Sequence, residues 1–175
     1  MNKNFYYFHW KEDDGGIAYS PKDSNVEFID ELDNFDRVPF VFSLKEGPFQ
    51  DYLSSNLGWP IFSEKFKNII EPYLSRVSFR WIPATVADIN GKKYTVFVLR
   101  FYDTLDVLNK EKTIFVDDSI DDLVVKAVLS KEKVKDLDVF IIPGSEFRII
   151  VSENVKSKIE ENNITGIDFS KVPIA

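Results

Sequence analysis

The pattern of apolar and polar positions is most regular between residues 77 and 101. Asn90-Gly91 separates two runs of β-branched and aromatic residues there. A two-residue type I′ turn favours such a pair, because both of its central positions need a positive φ. After the turn, apolar side chains occupy both faces from Tyr94 to Phe101, which is typical of a central strand. We therefore predict a β-hairpin over Phe79–Phe101 in the middle of the sheet.

Two further stretches have helical spacing, and each begins with Ser-Glu. After Ser63, apolar residues recur at helical intervals, at Phe66, Ile69, Ile70, Tyr73 and Leu74. Serine is a good N-cap, and the glutamate that follows it complements the positive end of a helix. We predict helices over 64–74 and 153–162. The two units either record an internal duplication or use the same capping solution independently.

The first 60 residues are less regular than the rest. Phe5–Trp10 alternates aromatic residues and predicts a first strand, and Val26–Ile29 is a candidate short strand. The residues from Leu123 to Leu129 have features of both helix and strand. We predict a single α+β domain over residues 1–175 with a mostly antiparallel sheet. It comprises a variable lobe over 1–60 and a regular core over 61–170.

The composition excludes several kinds of chemistry. The chain has no cysteine and one histidine, His9, which lies between two aromatic residues. We therefore expect no Ser-His-Asp triad, no thiolate nucleophile and no zinc site built from histidine or cysteine. No phosphate-binding glycine motif occurs either. The prediction is a protein without enzymatic activity and without a cofactor.

Hydropathy and charge bear on the location and the partners of the protein. No apolar run approaches the ~18 residues of a membrane span, and the first residues lack the aliphatic core of a signal peptide. We therefore expect a cytoplasmic protein that does not contact a membrane. The net charge of −7 disfavours binding to nucleic acid but is compatible with a basic protein partner. The alternative is that the acidity only serves solubility.

The densest group of acidic residues follows the predicted hairpin. It consists of Asp117, Asp118, Asp121 and Asp122, with Asp103 and Asp106 upstream. The stretch lacks the glycine turn and the terminal glutamate of an EF-hand loop, so we expect no metal site. These acids either form one face that binds a basic partner or only solubilise a loop. Trp59, between Gly58 and Pro60, is expected to be at least partly exposed, and is a second candidate for partner contact.

The order of elements from residue 60 onward resembles a known protein family. The matching stretches are Ile61–Phe66, Val77–Pro83, Asn90–Tyr94 leading into Phe101–Asp106, and Phe147–Glu153 followed by Ile164–Phe169. Together they resemble bacterial immunity proteins of polymorphic-toxin systems, in the immunity family numbered eleven, formerly a domain of unknown function. The resemblance covers about residues 60–170.

The resemblance implies a non-catalytic α+β protein that binds and neutralises a cognate toxin made by the same or a sibling cell. Asp103 and Asp106 lie where family members tend to keep acids, which implies either toxin contact or a structural role in a turn. An alternative of another class is an enzyme or small-ligand domain with a pocket under the Gly47–Pro60 loop. The aromatic residues that motivate this alternative are Phe49, Tyr52, Trp59 and Phe62. A third candidate, an accessory subunit of a secretion apparatus, has no positive feature in the sequence.

Overall fold

A computed structural model of the chain describes residues 3–11, 16–22, 40–116, 124–143 and 148–175. The strands of this part are β1 (Phe5–Trp10), β2 (Ile17–Tyr19), β3 (Phe40–Glu46), β4 (Tyr52–Ser55), β5 (Ile61–Ser63), β6 (Phe79–Ala87), β7 (Lys93–Phe101), β8 (Ile114–Phe115), β9 (Val124–Lys126), β10 (Val139–Phe140), β11 (Ile149–Ser152) and β12 (Ile167–Val172). Its helices are α1 (Glu64–Ile70), α2 (Lys131–Val134) and α3 (Glu153–Glu161), and a 3₁₀ turn, Glu71–Tyr73, follows α1. The candidate strand at Val26–Ile29 lies outside the described residues.

The strands form a closed barrel, a four-stranded sheet and a two-stranded ribbon. The barrel has the order β2-β3-β6-β7-β5-β4 and closes through a parallel pairing of β2 with β4. A second parallel pairing joins β3 to β6. The sheet has the order β10-β11-β1-β12 and is antiparallel throughout, and β8 pairs with β9 in the ribbon. The predicted α+β class with mostly antiparallel pairing is confirmed, and closure of one sheet into a barrel is added to it.

The predicted hairpin is formed by β6 and β7, which pair from Phe79↔Phe101 to Ala87↔Lys93. Its turn differs from the prediction. The N–H of Gly91 donates to the carbonyl of Asp88 at 3.0 Å, and Gly91 has a φ of 77°. Among the described residues other than glycine, only Asn163 has a positive φ, so Asn90 lacks the positive φ that a type I′ turn requires. The connection is therefore a three-residue loop with glycine in the left-handed position, and the expected two-residue type I′ turn is wrong.

Both predicted helices begin at the expected serine. The hydroxyl oxygen of Ser63 accepts from the N–H of Phe66 at 3.1 Å, and that of Ser152 accepts from the N–H of Val155 at 3.5 Å. The last α-helical hydrogen bond of α1 runs from the N–H of Glu71 to the carbonyl of Lys67, because Pro72, the next residue, has no N–H to donate.

Three apolar cores hold these elements together. The first fills the barrel, and the second lies between the barrel, α1, α3 and one face of the four-stranded sheet. The third covers the other face of that sheet and includes apolar residues of α2, β8 and β9. Because side chains alternate along a strand, Phe8 of β1 packs in the second core and Phe5 in the third. The four-stranded sheet is thus buried on both faces.

Candidate partner-binding site

Residues 106–116 and 124–133 run side by side, and we call this antiparallel unit the arm. The pairing of β8 with β9 forms its outer part. Further in, the N–H of Ser130 donates to the carbonyl of Val107 at 2.8 Å. Of the stretch Leu123–Leu129, which has features of both helix and strand in the sequence, Val124–Lys126 forms strand β9 of the arm.

The ribbon of β8 and β9 has one apolar face turned inward and further apolar side chains in solvent. Phe115 and Val124 pack against the third core. Ile114, Val116 and Val125 are 53%, 59% and 58% exposed. Isolated exposed apolar side chains are common on proteins, but several together on one short ribbon are typical of a contact surface.

The sequence pattern missed these three exposed residues. The available signal was a pair of short apolar runs on either side of an acidic segment, which predicts a hairpin but does not say which face is covered. Burial of Phe115 and Val124 against the third core is what leaves their neighbours in solvent.

Two of the predicted site residues lie at or beside the base of the arm. Asp103 is exposed, and Asp106 forms an ion pair with Lys133 of α2, with 2.9 Å between the carboxylate oxygen and the ammonium nitrogen. The hydrogen bond from Lys133 lowers the pKa of Asp106 below its ordinary value. Asp106 therefore connects the two segments of the arm at its base and also presents charge to solvent.

The four other predicted acids, Asp117, Asp118, Asp121 and Asp122, lie outside the described residues. In the sequence they belong to the segment that joins β8 to β9. The described ranges hold all but one of the 22 Lys and Arg residues of the chain, but only about half of its 29 Asp and Glu residues. The acidic excess of the protein is therefore concentrated in segments such as this one, while the described scaffold is net basic.

The expectation that Trp59 is exposed is wrong. Its side chain is 1% exposed and packs in the barrel core, with ring centroids 5.8 Å from Phe40 and 6.3 Å from Phe42. The Ser55 hydroxyl accepts from the Trp59 N–H at 2.9 Å and donates to its carbonyl at 3.1 Å. With Gly58 at a φ of 74°, this turn directs the indole inward. Trp59 is a core residue of the barrel.

The other aromatic residues near the Gly47–Pro60 loop also serve packing. Phe49 stacks on Tyr94 with ring centroids 4.0 Å apart, and Tyr52 contacts Phe62 at 4.9 Å. A cavity of about 580 Å³ lies elsewhere, beside α2 and the end of β12. The aromatic content that suggested a pocket under the loop is accounted for by the first two cores.

The fold and the arm define a mixed α+β protein with an exposed apolar ribbon. The model of the immunity protein family Imm11 matches residues 7–173, nearly the whole chain. The chain belongs to this family. Among curated proteins, none matches it. Within the described ranges, no helix is long and apolar enough to cross a bilayer, and no three acidic or histidine side chains are placed to share a metal ion.

Proposed function

We propose that the protein is a cytoplasmic immunity protein that binds and neutralises a cognate toxin of a bacterial polymorphic-toxin system, without catalysis of its own. Membership of the immunity family over residues 7–173 is the observation that supports this proposal. We further propose the arm as the toxin-binding surface. An inhibitor of this kind needs a complementary face for its target and no reactive group.

The ribbon supplies the apolar part of that face. Ile114, Val116 and Val125 already lie in solvent, so a partner that covers them gains apolar burial without first unfolding the arm. On the opposite face of the ribbon, Phe115 and Val124 are partly buried against the third core, and this packing restricts the ribbon before a partner binds. Contact residues held in place before binding lose little conformational entropy when the complex forms.

The acids supply the charged part of that face. The described strands of the arm carry more lysine than acid, so any attraction to a basic toxin depends on the four Asp residues of the connecting segment. Asp103 and Asp106 add charge at the base. Charges at the rim of an interface mainly raise the association rate, while buried apolar contacts decide the lifetime of the complex.

The test uses the purified cognate toxin and the double variant Ile114→Ser/Val125→Ser. Loss of two anchoring side chains should weaken binding at least about tenfold, through faster dissociation measured by surface plasmon resonance. The matched control is Ile89→Ser in the β6–β7 loop, because Ile89 is 80% exposed and lies outside the arm. Both variants should melt at the wild-type temperature.

The possible outcomes distinguish a wrong function from a wrong binding surface. A wild-type protein that neither binds the toxin nor inhibits it contradicts the immunity function. A toxin that binds wild type and the ribbon double variant equally well contradicts only the assignment of the ribbon.

A further inference from the structure

A cavity of about 580 Å³ lies between three segments of the chain. Its walls are residues 3–5 at the start of β1, residues 131–135 in and after α2, and residues 171–175 at the end of β12. Sites for small molecules in proteins usually enclose about 300–1,000 Å³. None of the exposed ribbon residues of the arm lines this cavity.

Backbone hydrogen bonds hold the walls of the cavity in place. The N–H of Lys131 donates to the carbonyl of Ala175 at 3.0 Å, and the N–H of Ala175 donates to the carbonyl of Leu129 at 2.9 Å. The N–H of Leu129 in turn donates to the carbonyl of Pro173 at 2.8 Å. The segments 129–131 and 173–175 therefore form one wall of the cavity, and this wall exists before any ligand binds.

The charged side chains that line the cavity all have the same sign. They are Lys3, Lys131, Lys135 and Lys171, and no Asp or Glu is among the lining residues that the structure describes. Lys3 pairs with Asp138 at 2.9 Å. The other three lysines have no ion-pair partner within the described ranges. A cleft lined by charges of one sign concentrates counter-ions of the opposite sign, so this cavity attracts anions.

The inner surface of the cavity is apolar. Its lining residues Phe5, Val134 and Val172 belong to the third core and are at most 2% exposed. The accessible apolar wall is therefore formed by the exposed Pro173 and by the half-buried Ile174, which packs against the same core. Such a surface favours the hydrocarbon part of a ligand over water.

We propose that this cavity binds a small amphiphilic anion, a molecule with a carboxylate or phosphate head and a short apolar body. The head is bound by the ammonium groups of Lys131, Lys135 and Lys171. The body lies against Pro173 and Ile174. This binding function uses neither the ribbon nor its acidic connecting segment, and Lys131 is the only residue of the arm that lines the cavity.

The first test titrates decanoate, below its aggregation concentration, into the full chain by isothermal titration calorimetry. One molecule should bind per chain. Each methylene removed on going to octanoate should weaken the affinity about fourfold, the effect of one buried methylene. The neutral analogue 1-decanol should bind about tenfold more weakly or worse, since it lacks the charge that the lysines bind. Equal affinity for decanoate and decanol, or no binding of decanoate, would overturn the proposal.

The second test uses variants and places the ligand in the cavity. Lys131→Gln/Lys135→Gln should weaken decanoate binding about tenfold or more. The control Lys92→Gln/Lys93→Gln removes the same charge from the exposed loop end of the β6–β7 hairpin and should leave binding unchanged. All four substituted lysines are exposed, so both variants should retain the wild-type melting temperature. Equal losses in the two variants, or none in either, would contradict the cavity as the site.

A third test distinguishes binding of a free amphiphile from binding to a lipid surface. Vesicles of phosphatidylglycerol present anionic heads but keep their acyl chains in the bilayer. Binding of monomeric decanoate without binding of vesicles supports the cavity. Binding of vesicles without binding of decanoate overturns it in favour of a general surface charge.

Discussion

The hydroxyl of Ser63 donates a hydrogen bond to the carboxylate of Asp51 at 2.6 Å, while the same oxygen caps α1 at Phe66. The other carboxylate oxygen of Asp51 accepts from the backbone N–H and the hydroxyl of Thr165, at 3.0 and 3.1 Å. Asp51 therefore joins the start of the first helix to the turn that precedes β12, and so joins the barrel to the four-stranded sheet.

Replacement of this carboxylate should destabilise the whole protein. We expect Asp51→Ala to lower the free energy of unfolding by about 1–3 kcal/mol, because it leaves the donors of Ser63 and Thr165 without their acceptor. Urea denaturation followed by circular dichroism measures the change. The exposed Asp168→Ala is the control and should stay within about 0.5 kcal/mol of wild type. Equal effects of the two variants would contradict the joining role of Asp51.

A second aspartate and serine repeat this arrangement. Ser152 donates to Asp138 through its hydroxyl, and its N–H donates to the carbonyl of Asp138 at 2.8 Å. The matching backbone bond from Ser63 to Asp51 measures 2.9 Å. In each unit the aspartate precedes an antiparallel strand pair that leads directly into a capped helix. The likeness between the two Ser-Glu helices thus extends to the strands before them.

Gly166 should not tolerate a side chain. Its φ is 81°, and a Cβ there would lie 2.3 Å from the carbonyl oxygen of Tyr52. Gly166→Ala should cost about 1–3 kcal/mol from the backbone conformation alone, and more from the clash with that backbone oxygen. The control is Gly91→Ala, which has a φ of 77° but open space around the new methyl group. Thermal melts should show the larger loss for Gly166→Ala, and a loss no larger than that of Gly91→Ala would argue against the close approach.

The apolar stripe of α1 should carry much of the stability of the second core. Ile70 is fully buried there, so Ile70→Ala should lower the free energy of unfolding by about 2–5 kcal/mol. Ile89→Ala serves as the control, because Ile89 is 80% exposed and should change stability by less than about 0.5 kcal/mol. A near-zero loss for Ile70→Ala in denaturant melts would contradict the packing of the helix.

The stability of the protein should fall at high pH in part through Tyr52. Burial raises the pKa of Tyr52 from its ordinary value of 10.0 to about 12. The folded protein therefore holds this proton more tightly than the unfolded chain does. The resulting stabilisation is complete below pH 10 and is lost as the pH rises towards 12, with a slope of about 1.4 kcal/mol per pH unit.

Tyr52→Phe measures this contribution, because it keeps the ring and removes the ionisable hydroxyl. Urea melts between pH 8 and 11 should show a shallower decline above pH 10 for the variant than for wild type. Identical slopes would mean that Tyr52 ionises at similar pH in the folded and unfolded states.

The acids between β8 and β9 should act on the rate at which a basic toxin associates. Neutralisation of Asp117, Asp118, Asp121 and Asp122 to Asn should lower the association rate and flatten its dependence on salt, with little change in dissociation. Stopped-flow association at low and physiological salt measures both quantities. The control neutralises Asp30, Glu31, Asp33 and Asp36, which gives the same change in net charge. An unchanged rate and salt slope in the first variant would leave these acids with a solubilising role alone.

Local chemistry in the sequence by itself determined much of the fold. Ser63 and Ser152 start the two helices as predicted, because N-capping depends only on the residues of the first turn. Phe5–Trp10 and the β6–β7 hairpin follow from their own alternation of side chains. The immunity family, predicted from the order of elements over about residues 60–170, is confirmed by the family model, which matches residues 7–173.

Only the tertiary structure decided which surfaces meet. The barrel closes through the parallel pairing of β2 with β4, which connects residues far apart in sequence. Trp59 is buried because its indole packs in the barrel core. Ile114 is exposed because the side chain of its neighbour, Phe115, is the one that packs against the third core. The cavity is formed where the start of β1, α2 and the end of β12 meet. Periodicity shows that a segment has an apolar face, but the partner that covers the face is set by contacts between distant segments.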